Sequence, residues 1–237
     1  MNKIEYIGKC LVVKTEGKKI LVVGDLHLGY EEYLNQAGVF VSRQMFNEMI
    51  EEFDEILNKF GEVDEVVLLG DVKHDFGSVM WQERRDALGV FDYFEDKKIK
   101  IIIVKGNHDN LLGSVVAGRG IEVRDFYIID EFCFAHGNRD FPEMHDKTIR
   151  CWVLGHGHPA IKLSDMVKVE KYKCFLEGEY ERKKVVIVPS FLAYSEGSDP
   201  RENNLGLAWD FNFNKFKVRV VGEGLSVLDF GLLKNLT

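Results

Sequence analysis

Val66-Val67-Leu68-Leu69-Gly70-Asp71-Val72-Lys73-His74-Asp75 sets a carboxylate directly after a short apolar run. The run reads as a buried strand, and the glycine lets the backbone turn. Asp71 then falls at the strand's C-terminal end, where α/β sheets carry their sites. The same layout recurs in Ile20-Leu21-Val22-Val23-Gly24-Asp25-Leu26-His27 and in Ile101-Ile102-Ile103-Val104-Lys105-Gly106-Asn107-His108-Asp109. It recurs again in Cys151-Trp152-Val153-Leu154-Gly155-His156-Gly157-His158, and Phe132-Cys133-Phe134-Ala135-His136-Gly137 ends its strand on the histidine itself.

The 237 residues suit one domain, 1–237, with a sizeable core, and the 46% hydrophobic and 30% charged fractions are those of a soluble globular chain. A formal charge of −8 argues against a protein that coats nucleic acid through a general basic surface. It leaves a nucleic-acid substrate open, because a metal centre brings its own positive charge. Cys10, Cys133, Cys151 and Cys174 form no C-x-x-C pair. Cys133, Cys151 and Cys174 sit in strand-like runs as apolar fillers, so neither a disulfide scaffold nor a zinc knuckle is expected. Met1-Asn2-Lys3-Ile4-Glu5 has no apolar signal core and no run reaches membrane-spanning length, so a cytoplasmic protein without a membrane partner is expected.

Strands are expected at 4–7, 10–14, 19–23, 64–69, 99–104, 121–123, 126–130, 132–136 and 151–154. A long amphipathic helix is expected from Ser42, as its cap, to Phe60, with Gly61 as the stop. Its Met and aromatic stripe reads as core packing. A second helix, 79–96, carries Trp81, Leu88, Phe91 and Phe94 on one face and Glu83, Arg84, Arg85 and Asp86 on the other. Later runs near 160–163, 168–176, 184–188, 205–211 and 216–221 look like strands joined by polar turns. The first half alternates strand and helix and the second half is mostly strand. The loop Ser195–Asn204 reads as an ordinary surface loop.

Six of the seven histidines lie in the strand-end clusters, beside Asp25, Asp71 and Asn107. One such histidine would be structural; six at the ends of successive strands are a ligand set. Asp/His/Asn ligation without thiolate suits Mn²⁺, Fe²⁺ or Zn²⁺. There are too many ligands for one ion. Two ions about 3.5–4 Å apart, sharing a carboxylate, are the arrangement used for in-line hydrolysis of phosphate esters. Asp71 is the expected bridge.

Asp25-x-His27, Gly70-Asp71-x-x-His74, Gly106-Asn107-His108-Asp109, His136-Gly137 and Gly155-His156-Gly157-His158 together resemble the calcineurin-like metallophosphoesterases. All five motifs stand in the family's order across residues 24–158. The loop Gly24–Glu31 and His74 look like the SbcD-related, archaeal-type branch, similar to the catalytic domain of double-strand-break nucleases. The resemblance implies an α/β four-layer sandwich, two mixed β-sheets face to face flanked by helices. It implies that Asp25, His27, Asp71 and His158 hold one metal, and Asp71, Asn107, His136 and His156 the other. Mn²⁺ is the expected ion, with Fe²⁺, Zn²⁺ or Ni²⁺ as substitutes. His108 would face the scissile phosphate with Asp109 orienting its ring, and His74 would assist on diesters.

The implied function is hydrolysis of a phosphodiester in single-stranded nucleic acid or a nucleotide, with a helicase or ATPase as partner. The rivals are a phosphomonoesterase acting on a small metabolite or phosphoprotein, and a protein-binding scaffold. A scaffold would be expected to lose ligands, and here every position is filled. The break-repair nucleases carry a capping domain and an ATPase-binding tail; with the chain ending at Thr237, processive double-strand resection is not expected. Outside the motifs, Asp75 has no assigned role, His145 reads as an exposed histidine, and Arg139, after the His136 motif, as either a phosphate contact or a surface ion pair.

Overall fold

Each apolar run that precedes a glycine cluster is a strand in the computed structural model, which describes residues 3–77, 79–165 and 168–236. The first sheet holds β1 (Ile4–Ile7), β2 (Cys10–Lys14), β3 (Lys19–Val23), β4 (Glu65–Leu68), β5 (Lys100–Val104) and β6 (Glu122–Arg124), side by side in chain order. The first three are antiparallel, and β3 to β6 run parallel, so their C-terminal ends share one edge. The second sheet adds β7 (Phe126–Ile129), β8 (Phe132–Ala135), β9 (Cys151–Leu154), β10 (Ala160–Asp165), β11 (Lys168–Tyr180), β12 (Lys183–Ile187), β13 (Lys217–Val221) and β14 (Val227–Leu232). Its order is β14-β13-β11-β12-β9-β8-β7, with β10 paired to β11. Here β8, β9 and β12 are mutually parallel and the rest antiparallel, so both sheets are mixed, as expected.

Strands β3, β4 and β5 are apolar without a break because both their faces are covered. Ile20, Val22, Val67, Ile102 and Val104 pack between the sheets against Phe134, Val153, Phe175 and Val186. The alternate residues Leu21, Val23, Val66, Leu68, Ile101 and Ile103 face helices α2 (Met45–Phe60) and α3 (Trp81–Asp96) through Met49, Phe53, Ile56, Phe91 and Phe94. All four α-helices of the described residues, including α1 (Tyr30–Gln36) and α4 (Leu112–Val116), precede β6 in the chain. The outer face of the second sheet is covered instead by irregular chain. Leu205, Trp209, Phe211 and Phe216 lie there on Trp152, Leu154, Val185 and Ile187.

Three expectations are corrected. Residues 205–211 are not a strand. Their apolar alternation marks the buried side correctly, but the backbone N–H groups of Phe211 and Phe213 donate to the carbonyls of Trp209 and Phe211 rather than to a neighbouring strand. Helix α2 begins at Met45 rather than Ser42, because Glu31 on α1, and not a local cap, accepts the N–H groups of Gln44 and Met45, both at 2.8 Å. In α3 the polar face is divided: Arg84 and Arg85 are exposed, whereas Glu83 and Asp86 are buried and Trp81 is 72% exposed. All four cysteines are free and buried, as expected for fillers.

Candidate metal centre

The loops after β3 and β4 are zipped together by main-chain hydrogen bonds. His27 and Leu28 donate to the carbonyls of Asp71 and Val72 at 2.8 and 2.9 Å, and His74 donates back to Leu28 at 3.0 Å. Close approach explains two motif glycines. A Cβ on Gly106 would lie 2.2 Å from the Asp71 carboxylate, and one on Gly70 2.6 Å from the Gly106 nitrogen. Four motif residues that are not glycine adopt the left-handed region: His27 (φ 46°), Asp71 (47°), His156 (63°) and His158 (41°). Such conformations cost on the order of 1–3 kcal/mol each and persist where surrounding structure enforces them. Here they aim four side chains from three strand-end turns at one point.

The side chains meet in two donor groups. In the first, Asp25 Oδ2 lies 2.9 Å from His158 Nε2, which is 3.3 Å from His27 Nε2. In the second, His136 Nε2 lies 3.0 Å from Asn107 Oδ1, 3.1 Å from His156 Nδ1 and 3.5 Å from Asp71 Oδ2. The same Asp71 oxygen is 3.9 Å from His27 Nε2, so Asp71 stands between the groups, as its predicted bridging role requires. Within each of the sets Asp25–His27–His158 and Asp71–His136–His156, the ligand atoms lie within 4.8 Å of one another. Imidazole nitrogens this close, beside carboxylates and with no thiolate, fit a divalent cation of the Mn²⁺–Zn²⁺ series. All seven predicted ligands are thus brought together, in the two sets that the family resemblance implies.

The donors are themselves oriented. Asp71 Oδ1 accepts the His108 N–H at 2.9 Å, and both oxygens of Asp25 accept the His156 N–H at 3.1 and 3.2 Å. His136 Nδ1 donates to the Leu69 carbonyl at 2.7 Å, which leaves Nε2 for the site. Burial holds the His27 pKa down, to about 3, which keeps its imidazole a neutral ligand. Burial also opposes charge on His136, but the hydrogen bond to Asp71 and the charges of Asp25 and Asp71 outweigh it and raise its pKa to about 9. Asp25 is fully buried, yet His158, His136 and His27 hold its carboxyl far below the usual range. The carboxylates therefore stay ionised and concentrate negative charge at this point, which attracts cations.

His108 lies beside both groups without joining either. Its Nδ1 donates to the His74 carbonyl and its Nε2 is 3.8 Å from Asp71 Oδ2. His74 Nδ1 is 3.4 Å from His27 Nδ1, at a cavity of about 350 Å³ that His27, His158 and Tyr30 also line. Burial, with the nearby His108, lowers the His74 pKa. The expected contact of Asp109 with the His108 ring is corrected. Asp109 is buried and accepts the N–H groups of Val72 and Gly106, both at 2.9 Å, so it clamps the two loops.

Two positioning residues escaped sequence reading. Glu83, placed by sequence on the polar face of its helix, is buried and accepts the N–H groups of His74 (3.0 Å) and Asp75 (2.6 Å). It also accepts from Met80 at 3.1 Å, the reciprocal half of a capping box, and the spacing Met80-x-x-Glu83 is the only local signal for it. Ser190 is buried and donates to the Asp25 carbonyl at 3.0 Å from a loop far along the chain. The loop from Ser195 does rim the site, since Ser195 to Ser198 line the same cavity as His27 and His158. His145 stands apart, between Asp140 (2.8 Å) and Glu181 (3.1 Å), and is half-buried rather than exposed. Arg139 is exposed and makes no ion pair among the described residues; it lines a small cavity of about 130 Å³ with Lys105, Asn107 and Asn138.

Two Asp/His donor groups sharing a carboxylate, at the converging strand ends of two facing sheets, define a centre for a pair of divalent cations. The chain belongs to the calcineurin-like phosphoesterase family, whose model matches residues 18–222. It is accordingly a metal-dependent phosphoester hydrolase by family. No curated protein matches the sequence. Among solved structures, it is similar to the nuclease MPE of Pseudomonas putida, with a TM-score of 0.63 and 17% identity over 93% of this chain and 100% of that one. Yfce, a phosphoesterase from E. coli, is 14% identical over 78% of this chain and 92% of its own, with a TM-score of 0.41.

Proposed function

We propose that the protein is a phosphodiesterase of nuclease type, hydrolysing diesters in single-stranded nucleic acid or nucleotides. The observation that carries this reading is His74 at the 350 Å³ cavity that opens beside the first donor group. A diester presents two carbon-bearing arms, and a productive pose needs room for the arm that does not depart. The cavity supplies that room directly against His27 and His158, and His74 supplies a ring N–H or lone pair at its edge.

Asp25, His27 and His158, and Asp71, Asn107, His136 and His156, would hold two divalent cations, which would supply an activated water and positive charge for the phosphoryl oxygens. The protein's own groups do the rest. Asp71 fixes the spacing of the donor groups, and Asp25, held by the His156 N–H, fixes the first. His108, its Nδ1 committed to the His74 carbonyl, presents Nε2 to the phosphate and stabilises developing charge or protonates the departing oxygen. The overall likeness to a nuclease, extending over that protein's whole length, agrees with this reading. From the loop Gly24–Glu31 and His74 we further propose the SbcD-related branch, with Mn²⁺ as the working ion and a helicase or ATPase partner, and we propose a cytoplasmic location.

The test is a side-by-side panel with Mn²⁺ of an aryl phosphodiester, an aryl phosphomonoester and single-stranded DNA. Turnover of the diester and the DNA is expected, and His74→Asp should lower diester hydrolysis more than monoester hydrolysis. Hydrolysis of monoesters alone, whatever the metal, would overturn the reading.

A further inference from the structure

Large aromatic side chains are exposed along one side of the metal site. Tyr33 is 48% exposed, Phe76 54% and Tyr194 40%. They are continuous with the reactive groups. The Phe76 ring centroid lies 3.5 Å from that of His108, and the Tyr33 ring lies 4.8 Å from that of His74. Tyr33 is also stacked on Tyr30 at 6.2 Å and 19°, and Tyr30 and Tyr194 both line the cavity beside His27 and His158. Leaving these rings in water forfeits hydrophobic stabilisation, and a group of them on one surface marks a place where something binds.

We propose that Tyr33, Phe76 and Tyr194 form a wall on which the nucleobases flanking the scissile phosphate stack. The proposal rests on the diester reading above and names its substrate class: a diester with at least one nucleoside arm. The position of the rings decides the occupant. Phe76 and Tyr33 abut the two histidines nearest the phosphate, so what covers them is part of the substrate rather than a separate partner. Charge points the same way. The chain's −8 leaves little general attraction for a polyanion, so affinity for a polynucleotide has to come from the metal centre and from ring stacking. Stacking also tolerates any base, because every base has a π face.

The experiment compares kcat/KM, with Mn²⁺, for thymidine 5′-(4-nitrophenyl phosphate), thymidine 3′-(4-nitrophenyl phosphate) and methyl 4-nitrophenyl phosphate. All three are diesters with one leaving group, so the ratio of a nucleoside diester to the methyl diester reports the nucleoside arm, and its loss in the aromatic variants assigns the preference to stacking of the base. The wild-type protein should prefer at least one nucleoside diester by about 10-fold or more, the scale of one base–aromatic stack. Phe76→Ala with Tyr194→Ala should erase that ratio, mainly through KM, while bound metal per chain stays the same. Phe76→Leu, which keeps apolar bulk without a π face, should give an intermediate ratio. A wild-type ratio near one, or variants that keep the full ratio, would overturn the wall and leave the diester reading standing. Turnover of 4-nitrophenyl phosphate with none of the three diesters would overturn both.

Discussion

Replacing His108 by glutamine should lower turnover by about 10²–10⁴-fold, the usual contribution of a positioned general acid, with bound metal unchanged. Its Nδ1 is taken by the His74 carbonyl and its backbone N–H by Asp71, so the ring is fixed in place beside the two donor groups. The loss should be larger for an alkoxide leaving group, as in DNA, than for an aryl one that departs without a proton. Equal losses would make His108 an electrostatic stabiliser, and loss of a metal ion would make it a ligand. The seven candidate metal donors and His108 are legible because each follows an apolar strand and a backbone turn within a few residues. Glu83 and Ser190 were not, because they act on the site only through hydrogen bonds to backbone delivered by distant chain. The Asp109 role was misread for a related reason. Next to His108 in sequence, its carboxylate turns the other way, to the backbone of the neighbouring loop.

At the scale of elements, the start of α2 is held by another helix. Glu31 is 2% exposed and accepts the N–H groups of both Gln44 and Met45. A carboxylate there satisfies two orphan donors and faces the positive end of the helix dipole. Glu31→Ala should therefore destabilise the fold by about 1–3 kcal/mol, the cost of leaving buried donors unpaired, read as a lower midpoint in urea. An unchanged midpoint would show that other groups or water serve those donors. The element scale also shows where pattern reading stops. Strands buried on both faces stand out as unbroken apolar runs bounded by turn residues and the long α2 by its helical periodicity, and their bounds come within about three residues. Helix α1 has seven residues, Tyr30-Glu31-Glu32-Tyr33-Leu34-Asn35-Gln36, too few to show a stripe, and it was not expected. Residues 205–211 alternate as a strand would because one side faces Trp152, yet no strand edge is paired with them.

Across the whole molecule the two sheets are tied by charge as well as by the core. Tyr6 on β1 donates to Glu177 on β11, which Arg219 (2.9 Å) and Lys184 (3.1 Å) also contact. Burial pushes the Glu177 carboxyl up, but Tyr6, Arg219 and Lys184 outweigh it and bring its pKa to about 2, against 4.5 when free. A folded-state pKa below the unfolded one adds stability above pH 4.5 that is lost as pH falls towards 2. In chelated protein, Glu177→Gln should thus cost more stability at pH 7 than at pH 3 in urea unfolding; an equal cost at both would rule out the ionised tie. The metal centre joins the same two sheets, with Asp25, His27, Asp71 and Asn107 supplied by the first and His136, His156 and His158 by the second. Cations held between them bind only the folded chain, so each adds about 2.7 kcal/mol at 100 times its dissociation constant. For a chain of this size, removing one with a chelator should lower Tm by about 5–10 °C and abolish activity. Elemental analysis should find two ions per chain at saturation. Asp71→Asn should weaken both, because its Oδ2 lies 3.5 Å from His136 and 3.9 Å from His27, one in each donor group. Asp25→Asn should weaken chiefly the His27–His158 group, since its shortest contact is the 2.9 Å one to His158. A single ion in fully reconstituted protein, or equal metal loss in the two variants, would mean that Asp71 is not a bridge and that the two donor groups serve one ion.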